Sequence, residues 1–282
     1  MKSAITVLKE QFKHFNLIRR ISLYELRNNN NANYLGLAWE ILNPLIQIAI
    51  FWFVFGFLMS GGKPRIVENP TPGGEAIPFL PWLLSGLIVW MFFQPAATQG
   101  AKSIYSRLRL LSKMSFPMSA IPNITIFSKF YPHVILIAIA IVILQFNGYP
   151  LSIYIIQLPY FVFAAYAFTY AFVLLMTTLT TLVRDIQLLL QATLRMVLYL
   201  TPILWVSQSL DKVMGGALVS LMKLNPLYYL VEGYRAALLG QHGWYLFNSW
   251  EYTIYFWVLT IGLFLIGSAL HIRFRRHFID FL

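Results

Sequence analysis

Six long apolar stretches dominate this chain, at about 34–59, 79–98, 124–146, 153–183, 186–206 and 252–272. No other feature narrows the choice of fold so far. A helix needs about 20 apolar residues to cross the hydrocarbon layer, and backbone can cross it only as a helix or as a closed barrel. The expected fold class is an all-α integral membrane protein with six transmembrane helices. Composition agrees: 59% of the 282 residues are hydrophobic and 11% are charged, against about 45–50% and about 25% in a soluble domain. A water-soluble globule and a disordered chain are both excluded. The chain has no cysteine, which removes disulfides, thiolate metal sites and lipidated cysteines.

The flanking segments divide the chain into an N-terminal segment (1–33), one six-span domain (34–272) and a basic tail (273–282). In the first segment Ile5, Leu8, Phe12 and Phe15 recur at spacings of three and four, with Lys9, Lys13 and His14 between them. That pattern predicts an amphipathic interfacial helix lying in the membrane surface, or an ordinary solvated helix. Glycines and prolines between Ser60 and Pro78 mark a loop, and Asn147-Gly148-Tyr149-Pro150 a tight turn. The fourth stretch is longer than a span requires and is expected to tilt or kink at Pro159. Val213–Leu224 and Leu227–Gly240 are apolar but too short to span. With the break at Asn225-Pro226 they suggest an external re-entrant helical hairpin.

Six spans put both termini on one side, and Lys and Arg indicate which. Lys2, Lys9, Lys13, Arg19, Arg20, Arg27, Lys102, Arg107, Arg109, Lys113, Lys129, Arg184, Arg195, Arg273, Arg275 and Arg276 fall on that side, whereas only Lys63, Arg65, Lys212, Lys223 and Arg235 fall on the other. The positive-inside rule then places both termini in the cytoplasm. The formal net charge of +11 reads as an orientation signal, and nucleic acid is not expected as a partner.

No catalytic constellation is visible. The five histidines are scattered, and His271 and His277 are expected at the interface rather than on a metal. Gly61-Gly62-Lys63 superficially resembles a phosphate loop, but it lacks the preceding glycine and has Pro64 where magnesium needs Ser or Thr. The polar chemistry lies instead inside the spans, where it is costly. Glu40, Asn43 and Gln47 share one face of span one, beside Pro44. Gln187, Gln191, Arg195 and Tyr199 step by four along span five. Two readings fit: the stripes line a hydrophilic translocation pathway, or they tie helices together through hydrogen bonds. Glu40 or Gln47 is the expected partner of Arg195. In the basic loop, Ile104, Leu108 and Leu111 form an apolar stripe beside Arg107, Arg109 and Lys113, suited to docking on a cytoplasmic partner or on anionic lipid. Trp82, Trp90, Trp205, Trp244, Trp250 and Trp257 are expected mostly in the interfacial aromatic belt.

Tyr34-Leu35-Gly36-Leu37-Ala38-Trp39-Glu40-Ile41-Leu42-Asn43-Pro44 resembles the start of the first span in ABC-2 type exporter permeases. Arg184-Asp185-Ile186 resembles that family's turn between spans four and five. Thr201-Pro202-Ile203, then Asn225-Pro226-Leu227, Glu232 and Arg235, resemble its later signature. The branch most resembled exports polysaccharides (O-antigen, capsule and wall teichoic acid), and the lead Tyr24-Glu25-Leu26-Arg27 looks most like the teichoic acid permease. The resemblance implies a transporter subunit of the bacterial cytoplasmic membrane without catalysis of its own. It implies a second copy of this chain and two copies of an ABC ATPase that binds ATP and Mg. It makes 102–116 a coupling helix and the substrate an anionic glycopolymer on a polyprenyl pyrophosphate, whose pyrophosphate Arg19, Arg20 and Arg27 suit by charge. A drug or haem exporter is the alternative within the class. Outside it stand a membrane-embedded glycan or acyl transferase, and a passive scaffold.

Overall fold

The computed structural model describes residues 1–68, 76–107, 117–205, 222–275 and 278. The described chain is helical apart from one two-residue antiparallel pair, β1 (Ile66–Val67) with β2 (Ile77–Pro78), in which Ile66 faces Pro78 and Val67 faces Ile77. Among the described residues five helices are long and apolar enough to cross a membrane.

The N-terminal segment forms two helices, α1 (Lys2–Lys13) and α2 (Phe15–Asn28), broken at His14. In place of the expected single helix, both halves meet the start of the helix at Ala120–Phe146, and α1 also packs on the helix at Trp250–Phe274. On α1, Gln11 donates to the Ser119 carbonyl at 3.1 Å and accepts from Asn123 at 2.8 Å, while Glu10 accepts from Ser119 and from Arg275 at 2.8 Å. On α2, Ile18 packs with Ala120 and Ile124. Ile5, Leu8, Phe12 and Phe15 remain exposed. Most of the apolar stripe found by periodicity is thus turned away from the protein, while the Phe15 ring meets Phe127 edge-on at 6.0 Å.

Span one starts with a short 3-10 turn, runs as α3 (Trp39–Phe51), widens into a π-helical segment (Trp52–Phe57) and closes at Gly61, whose φ of 68° is left-handed. Spans two and three are α4 (Phe79–Ala101) and α5 (Ala120–Phe146). Helix α5 begins at Ala120 rather than at about 124, and Lys129 lies within it, as it does within the expected span. Span four enters as a 3-10 segment (Ile153–Gln157) and continues as α6 (Leu158–Leu182). Pro159 therefore marks a change of helix type at the first α-helical turn, where its missing amide costs nothing. Residues Ile186–Leu200 form α7, only 15 residues long. The expected span to 206 stops there because Thr201, ahead of Pro202, is extended (ψ 134°). Pro226–Leu239 form α8, with Asn225 accepting from the Leu227 amide and Gly240 closing the helix at φ 71°. A short α9 (Tyr245–Asn248) leads into the last long apolar helix, α10 (Trp250–Phe274), so the described residues hold five helices of spanning length where six are expected, α7 being the short one. Most of the other expected hairpin arm, Val213–Leu224, lies outside the described residues, as do His277 and Arg276 of the tail.

The core is organised around α4, which packs on α5, α6, α7 and α8. In its most apolar stretch 78% of residues are buried, against 11% in span one and 22% in α10. Apolar residues of span one therefore face outward, toward lipid or another chain. Two expectations change with burial. Trp82 and Trp90 are core residues rather than belt residues, and His271 is enclosed between Thr178, its hydrogen-bond partner, and Phe278. Trp244 and Trp250 stay exposed as expected.

Candidate functional site

Glu40, Asn43 and Gln47 line one wall of a cleft of about 290 Å³ between α3, α4 and α5. Gln94 and Gln99 from α4, and Lys129 and His133 from α5, line the rest. Each of the three helices carries an internal proline (Pro44, Pro95 and Pro132), and all three prolines border the cleft. Each removes the amide that would bond the carbonyl four residues earlier. The carbonyls of Glu40, Met91 and Ser128 thus lack that helical partner beside the cleft.

The charge at its centre is an ion pair. Lys129 Nζ lies 2.9 and 3.1 Å from the two oxygens of Glu40, and Asn30 Nδ2 donates to Glu40 at 3.2 Å. An unpaired charge inside a span costs at least about 2.5–3.5 kcal/mol, so a lysine and a glutamate embedded in apolar sequence are best accommodated together. A second cleft of about 400 Å³ shares Glu40, Gln99 and Lys129 with the first. It runs toward Lys102, just past the end of α4, and Arg107 in the next turn. There Arg107 Nη2 meets Glu25 at 2.7 Å, and Thr125 donates to the same carboxylate at 3.2 Å. Two clefts sharing a wall make one polar groove, passing from the ends of α4 and α5 into the span region.

The expected pairing of Arg195 is corrected: Glu40 is taken by Lys129, and Arg195 is exposed with no ion-pair partner among the described residues. The cause is helical drift. Residues four apart rotate by about 40° per step, so a stripe over twelve residues turns through about 120°. Gln187 faces inward and donates to the Thr98 carbonyl at 2.9 Å, whereas Tyr199 faces out; Leu190, Leu194 and Leu198 take the inner face. Spans one and five therefore do not form one pathway wall within a single chain.

The basic loop is also corrected. Ile104 is buried with Ile121 and Phe278, so it is not part of a free docking stripe, and Tyr105–Arg107 is a single 3-10 turn. Leu108, Arg109, Leu111 and Lys113 lie outside the described residues. Arg19, Arg20 and Arg27 are exposed and line neither cleft. Arg184 and Asp185 form the exposed turn between α6 and α7. There the Asp185 carbonyl accepts from the Leu188 and Leu189 amides.

On the opposite side of the fold, Asn225 caps α8 and donates to Thr201 at 2.7 Å. Glu232 accepts from Arg235 at 2.7 Å. The Arg235 guanidinium, 1% exposed, lies 3.6 Å from the centroid of Trp82. Gly86 makes room for it, since a Cβ there would lie 2.9 Å from Nη2. Arg235 is expected in an external hairpin arm and as a family landmark, and it serves as a buried anchor between α8 and α4. Lys129 was missed as a site residue, although a lysine within a long apolar run is a visible signal. The i, i+3 spacing of Glu232 and Arg235 is another.

Among the described residues there is no group of three or more His, Asp and Glu placed to hold a metal. Residues 17–239 match the family model described as ABC-2 type transporter. The chain is similar to the O-antigen export system permease protein RfbA of Myxococcus xanthus, 22% identical over 232 residues, covering 82% of this chain and 84% of that one. It is equally similar to the RfbA permease protein of Klebsiella pneumoniae, 22% identical over 269 residues and covering 95% of both chains.

Proposed function

The chain belongs to the ABC-2 type transporter family, and from that premise we propose that it is the permease of an ATP-driven exporter of a lipid-linked surface polysaccharide. The family match makes it a membrane subunit of a transporter rather than an enzyme. The observation that carries the substrate is the pair of alignments, each over more than four fifths of both chains, with permeases named for O-antigen export. A finer reading as a wall teichoic acid permease rests on the lead Tyr24-Glu25-Leu26-Arg27 into Tyr34-Leu35-Gly36.

In this reading a separate ATPase, in two copies, binds ATP and Mg and acts on the loop beginning at Lys102, and two copies of the permease assemble. The exposed faces of span one and of α7 then meet across the dimer, which gives Asn43, Gln47, Gln191, Arg195 and Tyr199 a shared path that one chain cannot build. The Lys and Arg asymmetry puts both termini and the groove at the cytoplasmic face. Arg19, Arg20 and Arg27 stand exposed at that face, where a polyprenyl pyrophosphate would approach.

The test is deletion of the gene in its host. The expected result is polysaccharide, still lipid-linked, accumulating inside the cell, and an ATPase copurifying with the tagged permease. Surface polymer at normal levels and no ATPase partner would overturn the reading. Chemical analysis of the retained polymer decides between O-antigen and teichoic acid.

A further inference from the structure

Resting on the exporter reading, we propose that the larger cleft is an anion groove for a phosphate or diphosphate group, latched shut by two of the protein's own carboxylates. Three cations converge on it: Lys102 after α4, Arg107 in the next turn, and Lys129 in α5. Two are covered. Glu25 sits on Arg107 at 2.7 Å, and Glu40 sits on Lys129 at 2.9 Å. Lys102 is exposed at the mouth and has no ion-pair partner among the described residues. The volume of about 400 Å³ lies within the range of small-molecule sites, about 300–1,000 Å³.

Cations and carboxylates come from different parts of the fold. Lys129 belongs to α5 and Lys102 follows α4, two helices packed together, and Arg107 lies in the 3-10 turn Tyr105–Arg107 that follows. The Glu40 carboxylate belongs to span one, the least buried of the spans, whereas Glu25 belongs to α2, which is packed on α5. An incoming phosphate can therefore displace Glu40 by a movement of span one and Glu25 by rotation of its side chain, at cations that stay in place. The exchange keeps Arg107 and Lys129 paired with an anion, and it requires the freed Glu25 and Glu40 carboxylates, 12% and 19% exposed in the closed groove, to turn out to water. A phosphate also offers Arg107 a bidentate partner that the single 2.7 Å contact from Glu25 does not. Displacing Glu40 also breaks its bond from Asn30, which joins the end of α2 to span one. Anion binding at the groove and release of the α2–span one elbow are then one event.

The experiment uses the full chain in lipid nanodiscs, with its ATPase where that copurifies and with the nucleotide sites filled by ADP. Inorganic pyrophosphate and farnesyl pyrophosphate are titrated by calorimetry. The wild type is expected to bind at least one probe saturably. Glu40→Gln removes a latch and should tighten binding about tenfold, and Lys102→Gln should weaken it about tenfold. Lys102 is exposed, so its variant stays informative if Lys129→Gln fails to fold. Preference for the prenylated probe assigns the groove to a lipid headgroup, and equal binding assigns it to the phosphate group from any source. No saturable binding, or binding unmoved by both variants, overturns the groove. Lost binding in a complex that still exports polymer retires the groove alone. Intact binding with no ATPase partner and no export defect retires the exporter reading alone.

Discussion

Replacing Arg235 with methionine tests whether the α8 anchor is an obligate charge pair. The substitution keeps most of the side-chain length and removes the guanidinium, leaving Glu232, 10% exposed, with His242 at 3.6 Å as its remaining ion-pair neighbour among the described residues. Removing one partner of a buried ion pair costs about 3–5 kcal/mol, because the other charge is left uncompensated. The cation–π contact with Trp82 at 3.6 Å adds up to about 2 kcal/mol where it is desolvated. At about 1.4 kcal/mol per factor of ten, the pair alone corresponds to a loss of about two to three and a half decades in the folding equilibrium. The assay is equilibrium unfolding in mixed micelles, followed by tryptophan fluorescence. The double variant Glu232→Gln with Arg235→Met should recover at least about half the loss, since no charge remains to be stranded. A single variant within about 1 kcal/mol of wild type, or a double variant no better than the single, would refute the reasoning.

Other perturbations probe the packing and the pathway. A Cβ at Gly233 would lie 2.2 Å from the buried Phe161 ring; Gly233→Ala should destabilise by about 1–3 kcal/mol despite its better helix propensity, read as a lowered unfolding midpoint. Arg195→Ala should impair export in cells while permease and ATPase still copurify, because the side chain has no ion-pair partner within the described chain; normal export would count against its place in the path. Arg107→Glu should weaken coupled ATPase activity. Adding Glu25→Arg remakes the ion pair with reversed charges, so recovery of ATPase activity in the double variant would show that Arg107 acts through Glu25 rather than on the ATPase. Glu10→Gln should cost no more than about 1 kcal/mol, since the Glu10–Arg275 pair is partly exposed; a larger loss in thermal denaturation would make that contact a principal fastening of α1.

The sequence by itself determined the class of molecule. Apolar run length, the Asn225-Pro226 break and the periodic face of 1–15 depend on local chemistry and on the thickness of a membrane, and most appear in the fold close to where the sequence puts them, whereas the fifth run ends early at Leu200 and the N-terminal helix breaks at His14. Half of the groove was also legible, because Glu40, Asn43 and Gln47 sit on one face of one helix at a spacing that fixes their direction. Which charges meet could be decided only by tertiary packing. A carboxylate in span one has several cations within reach along the chain, and nothing local separates Lys129 from Arg195. The choice follows from α5, not α7, packing beside α3, and from a four-residue stripe rotating away from the core along α7. Arg235 shows the same limit: its position in the chain assigns it to an external hairpin arm, whereas the space left by Gly86 and the face of Trp82 draw it into the core.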